Sequence, residues 1–251
     1  MKTAKLLIAG TVLTSTLLGM GATVHADEVN VTPKAITEKT IKSKGEVTFT
    51  MDDSVVPPVD PTDPGTPVDP TDPTDPGGTS GPLSIDHVSN IYFSEQLISA
   101  KAQTYYALLE EVELQDGSKK EVPLYTQVSD KRGSNEGWTL QVKQETQFST
   151  KEGAELKAAV LTLANTQVKT TADNKATAPT PAASEMALVP GGGNVTVSKA
   201  NVDEGMGLWI ASFGNETTGA TSVSLDVPGE SAKQEATYST ELTWTLSNAP
   251  I

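Results

Sequence analysis

The sequence predicts an all-β fold: an antiparallel β-sandwich or barrel-like domain with a Pro/Asp-rich extended loop near the N-terminus. Three observations predict it. Short runs alternate apolar and polar residues at roughly 8–15 residue spacing, as in sandwiches and barrels. Clusters of Gly, Pro and Asn punctuate these runs as turn signals. No sustained apolar stripe of helical period competes with them.

Residues 1–26 read as an export signal. Lys2 and Lys5 form a basic start, Leu6 to Leu18 an apolar centre, and Val24-His25-Ala26 a small-residue cleavage site. Thr11, Thr14, Ser15 and Thr16 interrupt the apolar run, which is too short for a membrane span of about 20 residues. The net charge of −14 becomes more negative still when the two leader lysines are lost. Such a chain is not expected to bind nucleic acid, whose phosphates need Lys and Arg. The sequence has no cysteine, which removes disulfides, thiolate metal ligands and a lipid-modified N-terminus. The end, Ser247 to Ile251, carries no apolar sorting tail, so retention at a surface is expected to be non-covalent.

Residues 27–45 form a polar, Thr- and Lys-rich arm. Residues 46–51 alternate through Val47, Phe49 and Met51 and predict a strand of the main domain. Residues 54–82 repeat the unit Val-Asp-Pro-Thr-Asp-Pro at 59–64 and 68–73, with eight prolines between 57 and 76. Each proline fixes its own φ and biases the residue before it away from the helical region. The segment therefore reads as an extended, solvated acidic loop without a core, inserted in the domain. It lacks the close oxygen spacing and tight Gly turn of an EF-type calcium loop.

The main β body is expected over 83–251. Leu83–Val88, Asn90–Phe93 and Thr104–Leu109 are β-like, and Gln115–Ser118 is a turn. Val122, Leu124, Thr126 and Val128 alternate with other residues, and a polar loop with the only arginine, Arg132, ends at Gly137. Trp138, Leu140 and Val142 then share one strand face. Glu152 to Val160 is compatible with a short helix, and Leu161 and Leu163 with a strand. Thr170 to Ala183 reads as a long loop, and Ala187–Val189 as a brief strand ending at Pro190-Gly191-Gly192-Gly193. Val195 and Val197 follow. Leu208–Ala211 is apolar on both faces, like a fully buried strand. Val223, Leu225 and Val227 alternate. Ala236, Tyr238, Thr240, Leu242, Trp244 and Leu246 share one parity, which predicts a last strand on the same core as 138–142.

Little in the chain points to catalysis. His87 is the one histidine beyond the leader, and no Gly-x-Ser-x-Gly turn accompanies it. A single histidine without cysteine predicts no zinc site. No Gly-rich phosphate loop is present in the sequence, and no cofactor or metal is expected. The 32 acids always allow some carboxylate pair at glycosidase spacing, so that pattern discriminates nothing.

The repeated tripeptide Trp-Thr-Leu, at 138–140 and 244–246, is specific in a chain with three Trp. The distal copy sits in Tyr238-Ser-Thr-Glu-Leu-Thr-Trp-Thr-Leu246, and the proximal one follows a loop and Gly137. Together with the export signal, the Asp-Pro-Thr segment and the Pro-Gly-Gly-Gly turn, these resemble the WxL-domain surface proteins of low-GC Gram-positive bacteria. The chain is similar to a short member with little beyond the WxL domain, which would cover 27–251. The resemblance implies a secreted, non-enzymatic cell-surface protein held non-covalently on the cell wall through peptidoglycan. Its motif positions here are Trp138, Leu140, Tyr238, Leu242, Trp244 and Leu246. It also implies a second function, docking other surface proteins of the same system or host matrix. Both Trp side chains are expected mainly in the core, building the surface that binds; direct stacking on glycan is the rival expectation.

Overall fold

The computed structural model describes residues 38–181 and 183–248. The export signal at 1–26 and the first part of the arm lie outside them. Residues 1–47 separate as one unit and 48–251 as another. In the first, the described residues 38–47 are exposed and without regular secondary structure, and Lys44 Nζ lies 2.6 Å from Glu46 Oε2.

Among the described residues every strand pair of the second unit is antiparallel, as the alternation predicts; one isolated bridge, Thr177 to Glu204, is parallel. One sheet contains β2 (Leu83–Val88), β6 (Tyr125–Asp130), β9 (Thr166–Lys169) and β13 (Gly207–Phe213), in the order β2-β6-β13-β9. A second contains β3 (Gln103–Tyr106), β8 (Val160–Ala164), β11 (Glu185–Leu188) and β14 (Val223–Val227), in the order β11-β8-β14-β3. A third contains β7 (Trp138–Gln144), β10 (Thr180–Pro181), β12 (Val195–Ala200) and β15 (Leu242–Ser247), in the order β10-β12-β7-β15. A small sheet joins β1 (Val68–Pro70), β4 (Glu110–Leu114) and β5 (Lys119–Val122), in the order β1-β4-β5. Asp116-Gly117 makes the β4–β5 turn, with Gly117 at φ +81°.

The period of two in each strand decides which core it feeds. The three larger sheets share one apolar cluster, which includes Leu140, Val142, Leu161, Leu163, Trp209 and Val223. Strand β13 sends Trp209, Ala211 and Phe213 into that cluster and Ile210 the opposite way. There Ile210 and Tyr125 meet Val59, Val68, Val112 and Val122 beneath the small sheet. The strand predicted to be apolar on both faces is therefore covered on both. Each of these aliphatic side chains contributes about 1.5–3 kcal/mol by leaving water.

Five expectations need correction. Residues 46–51 form no strand: Val47, Phe49 and Met51 are 74%, 89% and 67% exposed. Alternation alone cannot hold a strand without a pairing partner and a buried face. The segment 54–82 is not a coreless loop, because β1 pairs with β4, and Val59 and Val68 are buried. Its Asp60 is buried too, and accepts from Lys120 Nζ at 2.6 Å. The region 152–160 contains no helix, and β8 begins at Val160. Asn90–Phe93 is not a strand. The last strand is also shorter than expected: it runs only over Leu242–Ser247, with a single bridge upstream between Ser239 and Ser149. Among the described residues no helix is long and apolar enough to cross a membrane.

Candidate functional site

Strands β7 and β15 pair directly, Trp244 opposite Val142, Leu246 opposite Leu140 and Leu242 opposite Gln144. Residues opposed in a ladder point to the same side of the sheet. The even-numbered side chains of both motif strands therefore turn toward the large core, as their shared parity predicts. Their depths differ, however. β7 lies between β12 and β15, whereas β15 is an edge. Trp138 and Leu140 are 1% and 0% exposed, while Leu242, Trp244 and Leu246 are only half-buried.

Trp138 is a core residue with a fixed polar contact. Its indole Nε1 donates to Gly205 O at 3.0 Å. Gly205 makes room for it, and Gly137, just before it, lets the chain pass close to the backbone of Ala200 and Asn201. Gly205 has φ +75°, and a Cβ there would lie 2.5 Å from Trp138 Nε1. Gly137 has φ +77°, and a Cβ there would lie 2.3 Å from Ala200 O. Any other residue would collide with backbone or indole and adopt a strained conformation. Leu140 is likewise closed off.

The distal motif instead borders an open groove of about 1120 Å³. Tyr238, Leu242 and Trp244 line it together with Tyr92, Phe93, Tyr105 and Leu225. Phe148, a core residue, also lines the groove, and its ring meets that of Phe93 edge-on with centroids 6.3 Å apart. Tyr238 is held by its hydroxyl, which accepts from Gln234 N at 2.8 Å. Tyr92 OH shares a 2.9 Å hydrogen bond with Thr74 Oγ1. Glu95, Glu235, Glu241 and Lys233 stand at the same groove. Aromatic faces with hydrogen-bonding groups around them suit an amphipathic ligand such as a sugar ring.

Of the six motif residues, the structure brings Tyr238, Leu242 and Trp244 to this groove; Trp138, Leu140 and Leu246 do not line it. Tyr92, Phe93 and Tyr105 belong to no motif in the sequence. Their one local signal is aromatic side chains on short runs whose partners lie far away in the chain. His87 does not line the groove: it is buried, with Nε2 3.0 Å from Glu110 Oε1.

A family model described as WxL domain surface cell wall-binding matches residues 36–250. No curated protein and no solved structure matches the chain.

Proposed function

The chain belongs to the WxL family of surface cell wall-binding domains, and from that premise we propose that it binds peptidoglycan non-covalently through the groove beside β15. On this reading residues 1–26 direct export and are removed, and the domain spanning 27–251 stays on the wall. The observation that carries the proposal is the half-buried Trp244, set with Tyr238, Tyr92 and Tyr105 around one cavity of about 1120 Å³. Ligand pockets of roughly 300–1,000 Å³ take small molecules, so this groove has room for a short glycan segment. Sugar C–H faces stack on aromatic rings, and the surrounding carboxylates and hydroxyls pair with sugar hydroxyls and amides. The groups act as a binding surface, and no reaction is assigned to them.

Sedimentation with purified peptidoglycan, with and without teichoic acid, tests this. The expected result is retention on teichoic-free peptidoglycan at raised salt, lost in Trp244→Ala. Retention that needs teichoic acid, or an undiminished Trp244→Ala, overturns it.

A second reading has its own observation. Leu97 and Ile98, beside the same groove, are 91% and 62% exposed. Neighbouring exposed apolar side chains suit a protein partner at the surface. Cross-linking on cells that captures a surface protein in the native chain and not in Leu97→Asp would support this docking role. Equal capture by both chains would remove it.

A further inference from the structure

We propose that Asp75, His87 and Glu110 bind a divalent first-row transition ion of the zinc or manganese type, which ties the acidic segment to the β-strands beside it. Candidate ligand atoms of the three all lie within 4.8 Å of one another. Bonds of about 2.0–2.2 Å to nitrogen and oxygen span ligands up to about 4.4 Å apart, a small side-chain adjustment from this spacing.

A bulge aims the histidine. Along β2, Ile85 pairs with Val128, but His87 pairs with Gln127, because the register slips at Asp86. Without that slip His87 would share the face of Ile85 and point into the large apolar core. With it, Ile85 and Val88 both reach that core, and His87 turns to the other face, toward Tyr125 and Glu110. Such bulges commonly re-aim a side chain next to a site.

A second observation points to a ligand. Asp75 Oδ2, Glu110 Oε1 and Tyr125 OH are buried without a hydrogen-bond partner. His87 Nε2 lies 3.0 Å from Glu110 Oε1 but hydrogen-bonds the other oxygen, Oε2, at 3.2 Å, a contact that an ion would replace. Tyr125 is fully buried, its ring 4.4 Å from that of His87, and its hydroxyl lies in the field of Glu110, Asp60 and Asp75. Buried polar atoms usually find partners, and two of these three belong to the clustered ligands, which calls for a common one. Ser89 Oγ donates to Glu110 Oε2 and accepts from Tyr125 N at 2.8 Å, so the carboxylate is already positioned.

The donor set chooses the ion. With both carboxylates ionised and the imidazole neutral, it carries two negative charges, which a divalent ion cancels. One imidazole with two carboxylates suits zinc, manganese or iron, whereas calcium and magnesium prefer all-oxygen shells. The position gives the ion a structural use. Thr74, Pro76 and Ser89 line the groove, next to the ligands and their hydrogen-bond partner. Binding would stiffen that end of the groove, although the site stands independently of what the groove holds.

The test is calorimetric titration of the intact chain, stripped with EDTA, with ZnCl2, MnCl2, CaCl2 and MgCl2 in turn. The expected result is one equivalent of zinc or manganese in a single tight class, with a rise in melting temperature. Asp75→Asn, a near-isosteric change, and His87→Gln each weaken that class by at least about tenfold, as lost ligand-shell groups do. Circular dichroism confirms the fold of each variant. Weak, multivalent uptake of all four ions, a preference for calcium, or an Asp75→Asn chain that binds like the native one overturns the proposal.

Discussion

Trp244 stands directly opposite Val142 across the β15–β7 ladder, and their side chains point to the same side of the sheet. Val142 is 0% exposed and Trp244 is half-buried, because β7 is interior to its sheet and β15 is its edge. The two Trp-Thr-Leu copies therefore have different work. The proximal copy is a core element and the distal copy a groove wall.

Trp138→Ala is expected to cost about 3–5 kcal/mol, the usual loss for a buried Trp. Trp244→Ala, with part of its surface already in water, is expected to cost about 1–2 kcal/mol. Urea unfolding of both variants measures the difference. Equal losses would mean that the two depths do not matter.

On peptidoglycan the order is expected to reverse. Trp244→Ala and Tyr92→Ala are expected to remain folded and to lose retention by at least about tenfold, which corresponds to about 1.4 kcal/mol for a modest aromatic hot spot. Retention of the native chain changes little up to about 1 M salt, where exposed charge pairs are screened over about 3 Å. Sedimentation across a salt series reads both outcomes.

Gly205→Ala is expected to destabilise by more than about 1 kcal/mol, since its φ of +75° is unfavourable to L side chains and its Cβ would lie 2.5 Å from Trp138 Nε1. Gly117→Ala shares the positive φ, at +81°, but has nothing within 4 Å, and so should cost less. Thermal melts of the two variants separate crowding from backbone strain.

The Asp60–Lys120 pair gives a pH signature. Burial raises the Asp60 carboxyl, but hydrogen bonds from Lys120 and Thr62 outweigh it and hold its pKa below the ordinary 3.8. A lowered folded pKa contributes stability that is present above the unfolded value and is lost as pH falls through the folded one. Lys120→Met removes the partner. The variant should be about 1–2 kcal/mol less stable at pH 7, a third of the Lys120 side chain being exposed at 34%. The gap should close below about pH 3.8. Denaturant midpoints at pH 7, 5 and 3 follow it.

Much of the fold is legible in the residues. Trp138-Leu140-Val142 and Val223-Leu225-Val227 show a period of two, which is a backbone property and survives in any sheet. Leu208–Ala211 is apolar on both faces because it lies under two cores. The Pro-rich segment misleads for a definite reason. Its repeat indicates local extension, but Val68 finds its partner at Leu114 and Asp60 finds Lys120, neither of which a local pattern reveals. Val47–Met51 misleads the other way, since it alternates and has no partner strand.

The site is less legible. Tyr238, Leu242 and Trp244 come from one motif, but Tyr92, Phe93 and Tyr105 reach them across more than a hundred residues of chain. His87 looked isolated because its companions, Asp75 and Glu110, lie on separate elements, and because a one-residue slip decides its face.

Strand periodicity, the turns, the family and the side to which each motif residue points are all written in the order of the residues, since these depend on local backbone geometry and on composition. That Trp138 is sealed and Trp244 accessible follows from tertiary packing. Depth depends on whether a strand is flanked on both sides, and that is settled by the hydrogen-bonded neighbours it acquires from distant parts of the chain.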